Sequence, residues 1–471
     1  MQRYLPKKML VASVALLSLV AASCGRSTSK ASPTTTASSG ATTTAAIVST
    51  SAASTASTTA APGPGDWGSI KEVCGKGDAK GATDKGVTDT EITIGSGADP
   101  GNTIIPGLNQ GMVDAAGAFV KWCNDAGGIL GRKLKLNDHD AALFNLGKVM
   151  TEACDTDFML VGDGYGLDAT GVEARTACKL PQIATFTVSA PAGRAAGSIE
   201  AITNSDSESH LMGPLRILAK VDPAVMPFLG YLNNQDPSLN PSGKKDQTAA
   251  EQLGFKTVYY DEFARGVDNW RPFAEGVKAK GVQVFSIFNS VEQTIAIIKA
   301  FNDVGYLPKY IVVNANDYDP KLISEVGPLL DKTTFLLVSG FTPFEKADAN
   351  PAVKQYLDVL AKYAPGKKPE ALGINTTSAF LLWAQSAKEC GSNLTRDCVM
   401  GKASAIKEWT AGGMHTPQTP GSTAGHNSEC FLALQATSKG FEVSAKFTQP
   451  NQGDLNCDPA NSAKIPGFPK S

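Results

Sequence analysis

From residue 86 onward the chain alternates short, almost wholly apolar runs with longer runs in which apolar residues recur every three or four positions. The short runs at 91–96, 133–136, 158–162 and 182–188 read as β-strands, as do 227–232, 257–260, 282–288, 310–314 and 334–338. Several lack the in–out alternation of a half-exposed strand, which predicts strands covered on both faces. Helices are expected at 111–125, 292–304, 351–363 and 376–388. In the first, Met112, Ala116, Phe119, Val120 and Cys123 fall on one face. In the second, Ile295, Ile298 and Phe301 do the same, behind a Glu292 suited to a helix N-terminus. Strand and helix taken in turn imply open, mostly parallel α/β sheets with helices on both faces. Such sheets bind ligands beyond the carboxyl ends of their strands.

The first 65 residues break this pattern. Arg3, Lys7 and Lys8 precede an uncharged run at 9–22, too short to span a bilayer and right for the apolar core of a signal peptide. Ala21-Ala22-Ser23-Cys24-Gly25 follows. Small residues before a cysteine at that point resemble a bacterial lipobox, although Ala21 stands where leucine is more usual. The expectation is a lipoprotein signal peptide over 1–23 and lipid attachment at Cys24. An ordinary secretory signal with a chance cysteine is the alternative. Residues 25–65 include 30 Ser, Thr or Ala and only two charges, Arg26 and Lys30. A segment of that composition cannot bury enough apolar area to offset its ordering entropy. Residues 24–65 are therefore expected to form a disordered tether, with a root-mean-square span of roughly 35 Å. No later run has eighteen uninterrupted apolar residues, so the mature chain is expected to be anchored to a membrane rather than threaded through it.

Removing leader and tether from the 471 residues leaves about 400, a two-domain length. Lys plus Arg number 43 and Asp plus Glu 45, a net charge of −2. That balance argues against a broad electrostatic nucleic-acid binder. Besides Cys24 there are eight cysteines: Cys74, Cys123, Cys154, Cys178, Cys390, Cys398, Cys430 and Cys457. An even number in an exported chain suggests four disulfides, chosen from 105 pairings. Spacing favours Cys390 with Cys398 and Cys154 with Cys178, leaving Cys74 with Cys123 and Cys430 with Cys457. The close cysteine and histidine clusters of a zinc site are missing.

Catalytic signatures are equally sparse. The chain has no phosphate-binding loop and no His-Glu-x-x-His, and Gly421-Ser-Thr-Ala-Gly425 has threonine where a nucleophile elbow needs serine. Asp138-His139-Asp140 reads as loop hydrogen bonding. The chain is expected to be no enzyme and to need no cofactor or metal.

Several passages resemble, in consistent order, the periplasmic branched-chain amino-acid binding proteins. They are 86–95 (GVTDTEITIG), 124–134 (NDAGGILGRKL), 158–165 (FMLVGDGY), 180–191 (LPQIATFTVSAP), 301–306 (FNDVGY) and 393–396 (NLTR). The resemblance covers roughly residues 86–447. It implies a two-lobed type I periplasmic-binding-protein fold, each lobe a mostly parallel sheet flanked by helices. Three crossover segments, near Asn204, Phe341 and Thr416, would join the lobes. Lobe one would be 83–204 plus 341–415 and lobe two 205–340 plus 416–447, with 448–471 a C-terminal extension.

The same resemblance places candidate ligand contacts on the loops after the strands. In lobe one these are Asp99 and Asn102, then Tyr165 and Gly166, the latter standing about where relatives hold a carboxylate with serine. Thr187 and Ser189 match the segment that holds an amino group in relatives. In lobe two they are Tyr231 and Asn233, then Asn289 and Ser290, then Asn316, Asp317 and Tyr318. Relatives that bind amino acids carry a carboxylate near this last loop; Ala315 stands there, with Asp317 two residues on.

The implied function is an extracytoplasmic, lipid-anchored, monomeric solute-binding protein. It would capture a small polar molecule, an amino acid or related, by hinge closure and deliver it to the permease of an ABC importer. A ligand-sensing lobe that signals to a partner receptor is the alternative.

Overall fold

The apolar runs become the strands of two separate sheets. The computed structural model describes residues 63–202, 209–288, 290–420 and 428–465, all within one unit, Ala60–Ser471. The expected signal peptide, Cys24 and nearly all of the tether lie outside the described residues. Among the described residues, no helix is long and apolar enough to cross a membrane.

The first sheet is built from β1 (Glu91–Ala98), β2 (Lys133–Asp140), β3 (Leu160–Val161), β4 (Gln182–Ala184) and β5 (Ser198–Glu200). Its order is β2-β1-β3-β4-β5, and every pairing is parallel. The connections are α1 (Gln110–Ala126), α2 (Leu146–Thr156), α3 (Val172–Ala177) and the single turn α4 (Ala190–Gly193). Helix α1 buries the predicted stripe of Met112, Ala116, Phe119, Val120 and Cys123. It stops at Gly127 and Gly128, both at positive φ, where a Cβ on Gly128 would stand 2.0 Å from the Arg132 carbonyl oxygen. Only glycine fits that turn, which returns the chain to β2.

The second half runs β6 (Ser209–Leu211), α5 (Gly213–Val221), β7 (Leu229–Asn234), α6 (Asn240–Gln252), β8 (Thr257–Phe263), α7 (Arg271–Ala279), β9 (Val284–Ile287), α8 (Val291–Asp303), β10 (Tyr310–Val313), α9 (Pro320–Leu330) and β11 (Thr334–Ser339). The chain then leaves this sheet for α10 (Pro351–Tyr363), α11 (Ala371–Cys390) and α12 (Arg396–Ala405). Of these, α10 and α11 pack on α1, under the first sheet. It returns as β12 (Cys430–Thr437), β13 (Gly440–Val443), α13 (Ala445–Thr448), β14 (Asn456–Cys457) and β15 (Ser462–Lys464). The second sheet has the order β13-β12-β11-β10-β9-β7-β8. It is parallel from β8 to β11 and antiparallel at β12 and β13.

Where expected and observed elements differ, local chemistry explains it. The expected strand at 182–188 stops at Ala184, because Ser189 caps α4 and the intervening residues turn toward it. The expected strand at 227–232 starts at Leu229, since Pro227 lies in a 3₁₀ turn and offers no N–H to a ladder. The antiparallel strands β12 and β13 are not among the expected strands, although 431–434 is an apolar run. Asp138, His139 and Asp140 are not a loop but the end of β2, where His139 Nε2 meets Asp157 Oδ2 at 2.6 Å. Among the described residues, no group of acidic, histidine and cysteine side chains could hold a metal ion.

Four disulfides brace the halves: Cys74–Cys123, Cys154–Cys178, Cys390–Cys398 and Cys430–Cys457. The first ties the segment ahead of β1 to the centre of the α1 face, beside Trp67, which is fully buried against Phe119 and Trp122. Its 49-residue separation gives a loop-entropy contribution of about 4 kcal/mol. The double variant C74S/C123S should melt about 5 °C lower than the parent in a calorimetric scan. An unchanged midpoint would show that the buried Trp67 alone holds this segment.

Candidate functional site

The carboxyl ends of both sheets open onto one cavity of about 480 Å³. The first half contributes Asn102, Leu143, Gly166, Phe186 and Val188; the second contributes Tyr231, Ser290, Asn314 and Asn316. The floor is made by the segments that cross between the halves. There Phe341 pairs with His415, and the Thr416 N–H donates to the Gly340 carbonyl at 2.6 Å. His415 is buried. Its Nδ1 faces the Thr416 carbonyl at 2.8 Å, which can only accept, so Nδ1 carries the proton. Nε2 then accepts from the Ser378 hydroxyl at 2.8 Å, and that oxygen accepts from Trp409 Nε1 at 2.9 Å. Burial pushes His415 down to about 4, so the imidazole stays neutral.

On the first wall, most polar groups are committed to one another. Asp99 accepts from the Leu143 N–H at 2.8 Å and the Gly166 N–H at 2.7 Å, which takes the backbone donor that Gly166 was expected to offer a ligand. Tyr165 is buried, 3.5 Å from the His139 carbonyl. Thr187 donates from nitrogen and hydroxyl to Glu200 Oε1, at 2.6 and 2.8 Å. The Ser189 hydroxyl accepts from the Ala192 N–H, while Asp168 accepts from the Val188 and Ser189 N–H groups. Asn102 differs. Its Oδ1 accepts from the Ile104 N–H at 2.9 Å, but its buried Nδ2 has no partner among the described residues.

On the second wall, Tyr231 donates to Asp246 Oδ2 at 3.1 Å, and His210 Nε2 lies 3.2 Å from Asp246 Oδ1. Burial dominates both, raising Asp246 to about 7 and lowering His210 to about 3. Asn233 lies behind the cavity, with its amide bound to the Asn240 carbonyl and the Asn234 N–H. Ser290 heads α8, and its N–H donates to Gln293 Oε1 at 3.0 Å. Asn289 lies outside the described residues. Asn316 follows β10 in a turn closed by Asn314 Oδ1 and borders the cavity. Asp317 does not. It is wholly buried against Thr294, and burial raises it to about 7. Tyr318 belongs to the core, donating to Glu345 at 2.5 Å among Phe341, Phe344 and Phe441.

The sequence reading missed an acidic end. Glu292, Asp319 and Glu370 all border the cavity. Glu370 sits against the start of α1, where a Cβ on Gly111 would stand 2.3 Å from its Oε2. Burial, reinforced by the charges of Asp319, Asp114 and Glu292, pushes it up to about 7. Lys321 offsets Glu292 at 3.0 Å. Gln418 was also missed. Its Oε1, on the floor, has no partner among the described residues. The carboxylates come from three separate helix starts; the sequence marks Glu292 and Asp319-Pro320 as helix-start residues but carries no sign that they meet Glu370 at one cavity. At the mouth the Arg265 guanidinium, paired with Asp236, lies over the Phe144 ring at 5.2 Å, and the Ser242 hydroxyl donates to the Val188 carbonyl at 3.3 Å.

Residues 231–441 match the family described as periplasmic binding protein. No curated protein sequence matches the chain. Among solved structures, a fatty acid ABC transporter substrate-binding protein from Thermomonospora curvata is 16% identical with a TM-score of 0.63, covering 77% of this chain and 93% of that one. The branched-chain amino acid transporter substrate-binding protein of Streptococcus pneumoniae, in complex with isoleucine, is 15% identical with a TM-score of 0.61, covering 75% and 99%. A substrate-binding periplasmic protein from Ralstonia solanacearum is 14% identical with a TM-score of 0.63, covering 75% and 100%.

The buried carboxyls carry a pH signature. Asp163 and Asp168 are raised to about 6, and Asp246, Asp317 and Glu370 to about 7, each mainly by burial. Between their unfolded values and these, the native state holds more protons than the unfolded chain, so stability falls as pH rises. His210 and His415, held below their unfolded value, act in the opposite sense, but only below about pH 6.5. The melting temperature should therefore drop between pH 5.5 and 7.5, the fall easing toward the upper end as the last of these carboxyls ionises. A midpoint that rises across it would contradict this account.

Proposed function

We propose that this chain, which has the fold of the type I periplasmic binding proteins, is a solute-binding protein. It captures a small polar molecule in the cleft between its halves, closes on it, and delivers it to an ABC importer. The observation that carries this reading is the single cavity walled by the carboxyl ends of both sheets and floored by the paired crossing segments. Asn102 Nδ2 on one wall and Gln418 Oε1 on the floor, a donor and an acceptor without partners among the described residues, suit a ligand that supplies both complements.

The ligand contacts we assign are Asn102, Ser290, Asn316 and Gln418, with Tyr231 at the rear. Asp99, Thr187, Ser189, Asn233 and Asp317 act one step back, holding the loops that carry the walls. A ligand ammonium would sit at the Glu292, Asp319 and Glu370 end rather than at Asp317. This is compatible with the amino acid bound by the streptococcal relative in fold. The lobes would divide as 83–204 plus 341–415 and 205–340 plus 416–447, hinging at Gly340–Thr342 and Met414–Thr416. Residues 24–65 would tether the body to lipid on Cys24, at the outer face of the cytoplasmic membrane. Hinge closure needs no covalent step: a solute touching both walls shifts the open–closed population by its differential affinity.

Two measurements test this. A screen of amino acids, amides and amines by thermal shift should find a solute that also reduces the radius of gyration in small-angle scattering; binding without compaction would remove the hinge mechanism. For a cationic solute, affinity should rise from pH 5.5 to 8, because Glu370 attracts it only once ionised. Glu370→Gln should flatten that profile. Asn102→Ala should weaken binding on the order of 10-fold, about 1–2 kcal/mol, while lowering the melting temperature by no more than about 2 °C, since within the fold only the Ile104 N–H loses a partner. An Asn102→Ala protein with full affinity would move the ligand elsewhere in the cleft.

A further inference from the structure

The cavity does not end at the loops that follow the strands. Leu229 of β7, Val312 of β10 and Val338 of β11 also line it, and each lies inside its strand rather than beyond it. They stand on the sheet face that α5 and α6 cover. Leu215 of α5, Leu211 of β6 and Ala250 of α6 complete the enclosure from the other side. Side chains on one face of a strand recur every second residue, about 7 Å apart. Stepping from Asn314 to Val312, from Gly340 to Val338, and from Tyr231 to Leu229 therefore takes the cavity at least one repeat into the second half. The six residues named here are aliphatic; Ser286 of β9 and Lys245 of α6 also border the cavity, and the Ser286 hydroxyl is spent on the Val312 carbonyl at 2.7 Å. The cleft end carries Asn102, Gln418, Glu370 and Asp319. Polar groups at one end and an aliphatic sleeve at the other match the two ends of an amphipathic molecule. A volume of about 480 Å³ lies within the ~300–1,000 Å³ range of sites that enclose drug-sized ligands.

We infer that the solute is elongated and amphipathic: a donor-bearing head, an amine or amide, lies in the cleft, and an alkyl tail enters the sleeve between the second sheet and α5 and α6. This rests on the solute-binding reading above and narrows it. Each methylene transferred from water into the sleeve should tighten binding about fourfold, until the tail meets the closed end. The polar cluster of Tyr231, Asp246 and His210 borders the cavity on the α6 side. It keeps its hydrogen bonds internal, so the tail can pass it without stranding a polar group.

The test is a homologous series with a constant head. Linear 2-amino acids from 2-aminobutanoate to 2-aminododecanoate, and the matching 1-aminoalkanes, are titrated calorimetrically into the full chain. The expected result is a Kd that falls about fourfold per carbon across at least three added carbons and then levels. Val338→Phe and, separately, Ala250→Leu narrow the sleeve from opposite sides; either should flatten this dependence. The series in the parent protein does not depend on either variant folding. If short members bind and lengthening brings no gain, the sleeve is a packing gap: the inference falls and the solute-binding reading stands. If no member binds while the thermal-shift screen finds another solute that compacts the protein, the inference again falls alone. If neither experiment finds a ligand, both fall.

Discussion

The geometry of the cleft depends on the two crossing segments that hydrogen-bond to each other at Gly340–Thr342 and Met414–Thr416. Neither is long enough to be stable alone. Pairing satisfies their backbone groups, and His415 then ties the pair to α11 through Ser378 and Trp409. Every donor in that chain has one acceptor, so the orientation of the imidazole is fixed and the network is fully satisfied. The floor is thus anchored to α11 of one half and continuous with β11 of the other. That anchoring also explains why α11 can be so deeply buried. Fifteen of its 20 residues are buried, because it packs on α1 and also carries the floor.

The walls obey a second constraint. A buried polar group must find a partner, and most of the first wall's groups find theirs within the wall. Asp99, Asp168 and Glu200 each collect backbone or hydroxyl donors from the loops that follow the strands. These carboxylates act as local cross-links for segments too short to form regular structure. Those groups are thereby satisfied internally, which leaves few unpartnered polar atoms on the cavity lining among the described residues. Sparse polar decoration on a largely apolar cavity gives direction and specificity from few groups, because each one left unpaired is costly.

The two halves are not equivalent supports. The first sheet has five strands, all parallel; the second is extended by β12 and β13, which pair antiparallel, and Cys430–Cys457 staples β12 to β14. That extension covers the end of the sheet where α5 and α13 pack, and it encloses the aliphatic face that the cavity enters. Charge is also uneven. The acidic end of the cleft is assembled from residues at the starts of α8, α9 and α11.

The order of strands and helices, the parallel character of the sheets and the α1 stripe were legible in the sequence, because they follow from local periodicity and from the Gly127-Gly128 turn. The resemblance over residues 86–447 carried the fold class, and the structure agrees with it. The two cysteine pairs favoured by spacing and the two left over are the four bonds formed. Strands β12 and β13 escaped notice because the second sheet takes them in after three helices have intervened. The site was less legible. Asp99, Thr187 and Ser189 have the right residue types on the right loops, yet their hydrogen bonds go to neighbours 10 or more residues away or to their own turn. Asp317 and Tyr318 differ from Asn316 only in which way a 3₁₀ turn points them. Glu370, Gln418 and the aliphatic sleeve depend on helices and strands that meet only when the chain has crossed between the halves. Local patterning decides which elements form; which of their side chains share a cavity is decided by packing between residues hundreds of positions apart, and no spacing in the chain encodes it.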